Sequence, residues 1–238
     1  MFVKAIKISK ESMFPIFRLE QQGNQAQIGV VGTGFFINAS GYFVSVAHIF
    51  DNAKQNTKFL FLGCLPEQLQ NPRLEIKEIA RNDDLDIFIG KIDKKSPTYF
   101  YLTKNVPNEG RSICISGYPL AQLSQNNQGG LELGRVRRYF QPSFVLDKMV
   151  VNSDNGLGKI RKHDGFTIRD VGLFGMSGGP VFDKNGIVLG MQGSVTEPRI
   201  SQNAGRTISV ENAVAIRAKI IIDLLKEKHI RYNFFGKF

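Results

Sequence analysis

The chain has 238 residues, of which 42% are hydrophobic, so it can bury the core of one large domain or two small ones. Its formal charge of +10 suggests attraction to acidic surfaces, including nucleic acids. The lysines and arginines are scattered, however, and the densest cluster consists of Arg135, Arg137 and Arg138. Because no recognised nucleic-acid-binding motif accompanies this charge, we interpret it as a solvated basic surface and expect no nucleic-acid partner.

Membrane-span, signal-peptide and cysteine patterns indicate the compartment in which a protein is expected. No stretch approaches ~18 uninterrupted apolar residues, which excludes a membrane-spanning helix, and the N-terminal residues 1–17 lack the pattern of a signal peptide. Cys64 and Cys114 each lie in an apolar run, which favours buried free thiols, although the sequence alone leaves a disulfide open. Together these features favour a cytoplasmic protein.

The first part of the chain predicts short strands separated by polar turns. The segment 42–50 (YFVSVAHIF) is apolar, β-branched and aromatic, which indicates a buried strand that ends near His48. The segment 74–80 alternates with period two, as a half-buried strand does. Asp86 lies at the start of another apolar strand. The predicted strands are 13–20, 28–37, 42–50, 57–65, 74–80 and 85–92.

The second part of the chain predicts further short strands and then a C-terminal helix. Residues 95–109 contain prolines and asparagines and predict a crossing between two halves. Further strands are expected near 111–119, 134–140, 142–151 and 207–210, with long loops at 121–130 and 152–169. From 211 to 228 the apolar residues recur at helical spacing, which predicts one C-terminal amphipathic helix. Many short strands with glycine-rich turns favour an all-β barrel or sandwich.

Three side chains suggest a reaction. In chain order they are His48 after an apolar strand, Asp86 at the start of another, and Ser177 within the glycine-rich turn GMSGGP. A serine hydroxyl is too weakly acidic to attack a carbonyl unaided, so an imidazole must take its proton and a carboxylate must orient the imidazole. Glycines around the serine let the backbone turn sharply and present N–H groups to a developing oxyanion. This set of residues predicts nucleophilic acyl transfer.

The segments that carry these residues resemble the chymotrypsin-like (trypsin-like) serine peptidases, and most closely the protease domain of the HtrA type. The resembling segments are 32–50, 85–92, 115–119 and 175–192, and with 207–214 they extend the similarity over almost the whole chain. The resemblance implies two antiparallel six-stranded β-barrels with the site between them. Residues 1–105 would form the barrel with His48 and Asp86, and 106–238 the barrel with Ser177 and the helix 211–228.

The resemblance also implies a role for each site residue. Ser177 would be the nucleophile, His48 the general base and acid, and Asp86 the group that orients His48. The N–H groups of Gly175 and Ser177 would form the oxyanion hole. Segment 192–194 (Gln192, Gly193 and Ser194) would line the wall where an extended peptide substrate adds as a strand. Hydrolysis through an acyl-enzyme needs no metal or cofactor, so none is expected.

This chain departs from the digestive members of the family in two places. Met176 replaces the aspartate that precedes the serine, so activation through an ion pair with a new N-terminus is not expected. The pocket-floor position, six residues before the serine, falls on Val171, which favours an uncharged apolar P1 residue, whereas a shift by one residue to Asp170 would favour a cation. The chain ends ten residues after the predicted helix, so we expect no C-terminal peptide-binding (PDZ) module.

Two functions remain open from the sequence. The leading one is a serine endopeptidase that acts on protein or peptide substrates. The alternative is a binding or scaffold module that keeps the protease fold with a latent or inactive site, because residue types do not reveal whether the loop around Ser177 presents its N–H groups. A carbonyl of Met176 or a neighbour turned into the oxyanion hole would indicate the inactive case.

Overall fold

The computed structural model describes the whole chain except residues 23–24, 52–57, 67–72, 94–97, 126–130, 135, 155–159, 197–198, 203–205, 210 and 237–238. The described residues are mostly strand, with a helix near each end. In chain order the elements are α1 (Val3–Ser9), β1 (Met13–Gln22), β2 (Gln25–Phe36), β3 (Tyr42–Ser45), a 3₁₀ turn (His48–Phe50), β4 (Lys58–Cys64), β5 (Arg73–Glu75), β6 (Lys77–Asn82), β7 (Ile87–Lys91), β8 (Tyr101–Leu102), β9 (Ser112–Gly117), β10 (Leu123–Gln125), β11 (Leu131–Leu133), β12 (Tyr139–Asp154), β13 (Ile160–Ile168), β14 (Pro180–Phe182), β15 (Ile187–Thr196), β16 (Arg199–Gln202), β17 (Arg206–Ser209), β18 (Asn212–Arg217) and α2 (Ala218–Glu227).

The first seven strands form one curled antiparallel sheet in the order β5-β4-β1-β2-β3-β7-β6. Its interior is filled by phenylalanines, with the Phe14 ring 4.9 Å from Phe36 and 5.0 Å from Phe43 between centroids. The chain has 19 phenylalanines and no tryptophan, so aromatic packing depends on this residue. A Cβ on Gly34 would lie 2.8 Å from the Phe14 ring, so glycine there makes room for it.

The second sheet closes into a barrel. Its strand order is β14-β9-β12-β13-β18-β15, and β14 also pairs with β15, so six strands form a ring, while β8 adds to β15 in parallel. The main hydrophobic core continues from the first sheet into the second. Phe100, fully buried in the connection between the sheets, lies 5.8 Å from Phe35 of β2 and 5.8 Å from Phe182 of β14. The all-β fold predicted from the sequence is confirmed: the second sheet is a closed six-stranded barrel, whereas the first, with seven strands, is a curled half-barrel.

The C-terminal helix begins later than predicted. Residues 212–217 form β18, which pairs with β13 on one side and β15 on the other, and α2 occupies only 218–227. Ala213, Val214, Ala215 and Ile216 are all fully buried, as expected of a central strand covered on both faces. Pairing with two neighbours therefore outweighs the helical spacing of the apolar residues.

Other predicted segments also differ from the structure, and the strand expected near 134–140 begins only at Tyr139, as part of β12. The loop expected over 152–169 is largely a hairpin, in which β12 continues to Asp154 and pairs with β13 from Ile160. The strand expected over 42–50 ends at Ser45, and a 3₁₀ turn follows. Parts of some predicted segments lie outside the described residues, including 126–130 of the loop expected over 121–130, and Arg135 of the basic cluster. No helix among the described residues has the length and apolar character needed to span a bilayer.

Cys64 and Cys114 are buried free thiols, as expected. Burial raises the pKa of both thiols to about 12, because a thiolate would lose its hydration. We therefore expect neither to react measurably with iodoacetamide at pH 8 in the folded protein, and both to react once the protein is unfolded in guanidinium chloride. Mass spectrometry of the alkylated protein measures this, and rapid modification of the folded form would contradict it.

Candidate active site

The chain places His48 at the start of a 3₁₀ turn just after β3. The N–H of Phe50 donates to the carbonyl of Ala47 at 3.0 Å, and the N–H of Asp51 donates to the carbonyl of His48 at 3.2 Å. Phe50 anchors the turn by stacking on Phe88 of β7, with 3.7 Å between the ring centroids. The side chain of His48 keeps 31% of its surface exposed. The imidazole is therefore held by a buried neighbour while it faces solvent.

Asp86 holds His48 at two points. It ends the turn between β6 and β7, and its side chain is only 5% exposed. Oδ1 accepts the backbone N–H of His48 at 2.9 Å, and Oδ2 lies 2.8 Å from Nδ1 of the imidazole. An ionised carboxylate only accepts hydrogen bonds, so this contact assigns the proton of the neutral imidazole to Nδ1 and leaves Nε2 with its lone pair.

The backbone of Asp86 has an uncommon conformation. Its φ is +55°, in the left-handed region that residues other than glycine seldom occupy. Its carbonyl accepts the N–H of Ala47 at 3.2 Å, so the two turns also meet through their main chains. Such a conformation persists only where the surrounding contacts hold it. The bonds to Ala47 and His48 are contacts of that kind.

Three consecutive carbonyls of the loop that carries Ser177 accept hydrogen bonds. Gly175 O accepts the Thr33 hydroxyl at 2.8 Å, Met176 O accepts the Gly179 N–H at 2.8 Å, and Ser177 O accepts the Thr33 N–H at 2.8 Å. Gly175 and Gly178 have φ of +88° and +82°, which favour glycine. Among the residues that the structure describes, the N–H groups of Gly175 and Ser177 donate to no protein acceptor. These two groups are therefore free to bind an anion.

The Ser177 loop packs directly on the first sheet, beside the His48 turn. A Cβ on Gly32 of β2 would lie 2.7 Å from the side chain of Ile49 and 2.8 Å from Ser177 O, so both segments meet at this glycine. The Ser45 hydroxyl donates to Thr33 O at 2.8 Å and fills the space beside Gly178. Sequence reasoning missed Thr33 and Ser45. Their only signal is that they are polar residues within apolar strands.

The region predicted to bind substrate lies along β15 and the segment before Leu173. Val171 is half-buried, and its carbonyl accepts Gln141 Nε2 at 3.1 Å. Gln192 is buried beside Gly172, where a Cβ would lie 2.3 Å from Gln192 Nε2. Its Nε2 donates to Ser194 O at 3.0 Å, and its buried Oε1 meets no donor of the described residues. Gly172 is therefore the residue that gives this amide its space.

Gly193 interrupts the ladder between β15 and β18. Gln192 pairs with Ala215 and Ser194 pairs with Val214, so Gly193 is the extra residue of a bulge. The extra residue of a bulge lies outside the regular pairing of the ladder and disrupts it locally. The structure thus brings His48 and Asp86 together, packs the Ser177 loop against the same strands, and places the segment 192–194 at an irregular part of the sheet.

The described part of the chain contains no group of three or more His, Cys, Asp or Glu residues arranged to hold a metal ion. The polar groups at the site are the imidazole, the carboxylate, the hydroxyl and the main-chain N–H groups described above.

Comparison with known structures shows the fold. The active form of the Rv3671c protease from M. tuberculosis is similar over 97% of this chain and 86% of its own, with a TM-score of 0.65 and 17% identity. The inactive form of that protease is similar over 94% and 91% of the two chains, with a TM-score of 0.60 and 17% identity. The HtrA-type protease AlgW with a decapeptide is similar over 96% and 67%, with a TM-score of 0.65 and 13% identity.

Sequence comparison with curated proteins gave no significant match. The family model of the trypsin-like peptidase domain, in contrast, matches residues 32–191. That match extends over more than half of the chain and includes the His48 turn, Asp86 and the Ser177 loop. The chain therefore belongs to the trypsin-like peptidase family.

Proposed function

We propose that the protein is a serine endopeptidase that hydrolyses peptide bonds of protein or peptide substrates through Ser177, His48 and Asp86. Residues 1–105 supply His48 and Asp86, and residues 106–238 supply Ser177. The observation that carries the proposal is the two-point contact between Asp86 and His48, at 2.9 and 2.8 Å, next to the strands that hold the Ser177 loop. A buried carboxylate on Nδ1 of a half-exposed imidazole is what a general base for a serine requires.

In the proposed mechanism, which is that of the family, Ser177 Oγ attacks the scissile carbonyl while Nε2 of His48 takes its proton. Asp86 stabilises the imidazolium that forms. The N–H groups of Gly175 and Ser177 bind the oxyanion of the tetrahedral intermediate. His48 then gives the proton to the leaving amine, and an acyl-enzyme remains on Ser177. Water activated by His48 attacks this ester, and the second product leaves with the serine restored.

The state of the Ser177 loop supports activity without a further partner. In the inactive case the carbonyl of Met176 or a neighbour would turn into the oxyanion hole, whereas the Met176 carbonyl accepts the Gly179 N–H at 2.8 Å. The Thr33 hydroxyl holds Gly175 O in the same way. Both interactions come from residues within the protein. Met176, which cannot form the ion pair of the digestive members, is fully buried instead and packs in the second core.

We propose that the substrate adds as an extended strand along Gln192, Gly193 and Ser194, where the bulge at Gly193 interrupts the regular ladder with β18. Val171 and Gln192 would border the pocket for the P1 side chain. Val171 provides an apolar surface, and the Gln192 amide is uncharged and fills the space beside Gly172. An acidic or basic P1 side chain would meet no opposite charge from either residue. The P1 residue is therefore expected to be uncharged.

Replacing Gln192 with alanine tests the pocket. The change removes the amide that fills the space beside Gly172, so we expect the variant to accept longer P1 side chains than the wild-type protein does. Cleavage of a peptide library by both proteins, with products identified by mass spectrometry, gives the P1 profile of each. Identical profiles would show that Gln192 does not border the P1 pocket.

The peptidase proposal itself is tested with a fluorophosphonate probe, which reacts covalently with an activated serine. We expect a single adduct, and peptide mapping should place it on Ser177. The Ser177→Ala variant is the matched control for non-specific labelling. A folded wild-type protein that forms no adduct and cleaves no peptide in the library would overturn the proposal, and would favour a non-catalytic binding module on the same fold.

A further inference from the structure

Arg81 of β6 connects the two turns that carry His48 and Asp86. Its Nε donates to Asp83 Oδ1 at 2.6 Å, and its Nη2 forms an ion pair with Asp51. Its Nη1 also donates to the carbonyl of Phe50 at 3.4 Å. The side chain of Arg81 is only 21% exposed. One guanidinium therefore binds residues of two loops that lie 32 positions apart in the sequence at Asp51 and Asp83.

Each carboxylate that Arg81 binds belongs to a residue one hydrogen bond away from the proposed catalytic pair. The N–H of Asp51 donates to the carbonyl of His48 at 3.2 Å and closes the 3₁₀ turn. The carbonyl of Asp83 accepts the N–H of Asp86 at 3.4 Å and closes the turn before β7. Arg81 thus contacts the residue that follows the His48 turn and the first residue of the Asp86 turn. His48 and Asp86 contact each other directly.

The charges explain why a cation is needed here. Asp51, Asp83, Asp84 and Asp86 bring four carboxylates to two adjacent turns, and like charges at close range repel each other. A guanidinium has five N–H donors in a rigid planar fork, so it can bind two carboxylates and a carbonyl at once. The ammonium of a lysine is a compact charge on a flexible stem and can replace only part of this geometry.

We propose that Arg81 is a positioning residue of the active site, which holds the His48 turn and the Asp86 turn at the separation that their hydrogen bonds require. This inference depends on the proposed function, because it assigns Arg81 a role in the same catalytic pair. Arg81 would touch neither the substrate nor the reacting atoms. Its effect on the reaction comes entirely through the placement of the imidazole.

Replacing Arg81 with methionine is expected to lower the rate of fluorophosphonate labelling at Ser177 at least about 10-fold per folded molecule, because small displacements of catalytic groups cost rate steeply. Arg81→Lys should recover part of that loss, since it restores the charge without the fork. Lys77→Met is the matched control: it removes a cation from the same strand, where Lys77 pairs with exposed Asp93, and it should label like the wild-type protein.

A second measurement separates positioning from a general loss of stability. The proton on Nδ1 of His48, bound to Asp86, should give a downfield ¹H NMR signal that is protected from exchange with water. In folded Arg81→Met we expect this signal to shift or broaden, whereas Lys77→Met should leave it unchanged. A role in stability alone would lower the melting temperature but leave both the signal and the labelling rate of the folded fraction as in the wild-type protein.

Labelling within about twofold of the wild-type rate, with an unchanged His48 signal, would overturn the proposal for Arg81. If Arg81→Met does not fold, Asp51→Asn decides in its place, because it removes the ion pair on the His48 side alone; a wild-type rate and signal in that variant would also overturn it. If the folded wild-type protein does not label at all, the peptidase proposal fails, and the NMR comparison still tests the connection through Arg81.

Discussion

Asp86→Asn is expected to lower peptide hydrolysis by about 10⁴-fold while the protein stays folded, which is the size of effect that the same change has in the family's mechanism. Asparagine has nearly the shape of aspartate and adopts positive φ more readily than most residues, so it fits the φ of +55° at this position. Its amide can also turn an oxygen toward the His48 N–H. It can then offer only an N–H to Nδ1, which favours the tautomer with the proton on Nε2, and that tautomer cannot accept the proton of Ser177.

The measurement is the turnover rate on the best peptide from the library, with circular dichroism to show that the variant is folded. Asp84→Asn is the matched control, since Asp84 lies in the same turn and is exposed. It removes the same charge two positions away and should leave turnover close to that of the wild-type protein. If Asp86→Asn kept more than a tenth of the wild-type rate, Asp86 would not be the group that orients His48.

Gly178→Ala is expected to lower turnover at least about 100-fold and to destabilise the fold by about 1–3 kcal/mol. A Cβ at this position would lie 2.1 Å from Ser45 Oγ and 2.4 Å from the carbonyl of Thr33. The carbonyl is main chain and is also held by the Ser45 hydroxyl at 2.8 Å, so it cannot move aside easily. The Ser177 loop would have to lift away from β2 and would carry the hydroxyl with it.

Gly110→Ala separates this steric effect from backbone strain. Gly110 also has a positive φ, +73°, but a Cβ there would meet no atom within 4 Å. The alanine at 110 should therefore destabilise the protein without reducing turnover of the folded enzyme. Thermal melts and turnover of both variants make the comparison. Equal turnover in the two variants would show that the fit of the Ser177 loop against β2 does not limit catalysis.

Local patterns predicted the elements whose residues interact with near neighbours in the chain. The strands around 13–20, 28–37 and 85–92 are found close to their predicted positions because apolar runs bounded by turn residues are local signals. The helix predicted over 211–217 was wrong because a buried helix and a strand buried on both faces can have the same run of apolar residues. Only the pairing of β18 with β13 and β15 decides between them, and that pairing is not local.

The residues of the candidate site also fall into two groups, those that local patterns predict and those that they do not. His48, Asp86 and Ser177 were predicted because the reaction requires those residue types within recognisable segments. Arg81, Thr33 and Ser45 were not, since an arginine after a half-buried strand and hydroxyls within apolar strands are ordinary on their own. Their importance comes from partners that are distant in sequence, such as Gly175, whose carbonyl binds the hydroxyl of Thr33 across 142 positions.

That distance has a consequence for when the chain can act. During synthesis, Thr33, His48 and Asp86 leave the ribosome long before Ser177, and the serine loop is bound by groups of the first sheet that must already be in place. The loop itself precedes β14, β15 and β18, which complete the second barrel. Because neither half carries all the bonds that shape the loop, a nascent or partly degraded chain should have no peptidase activity.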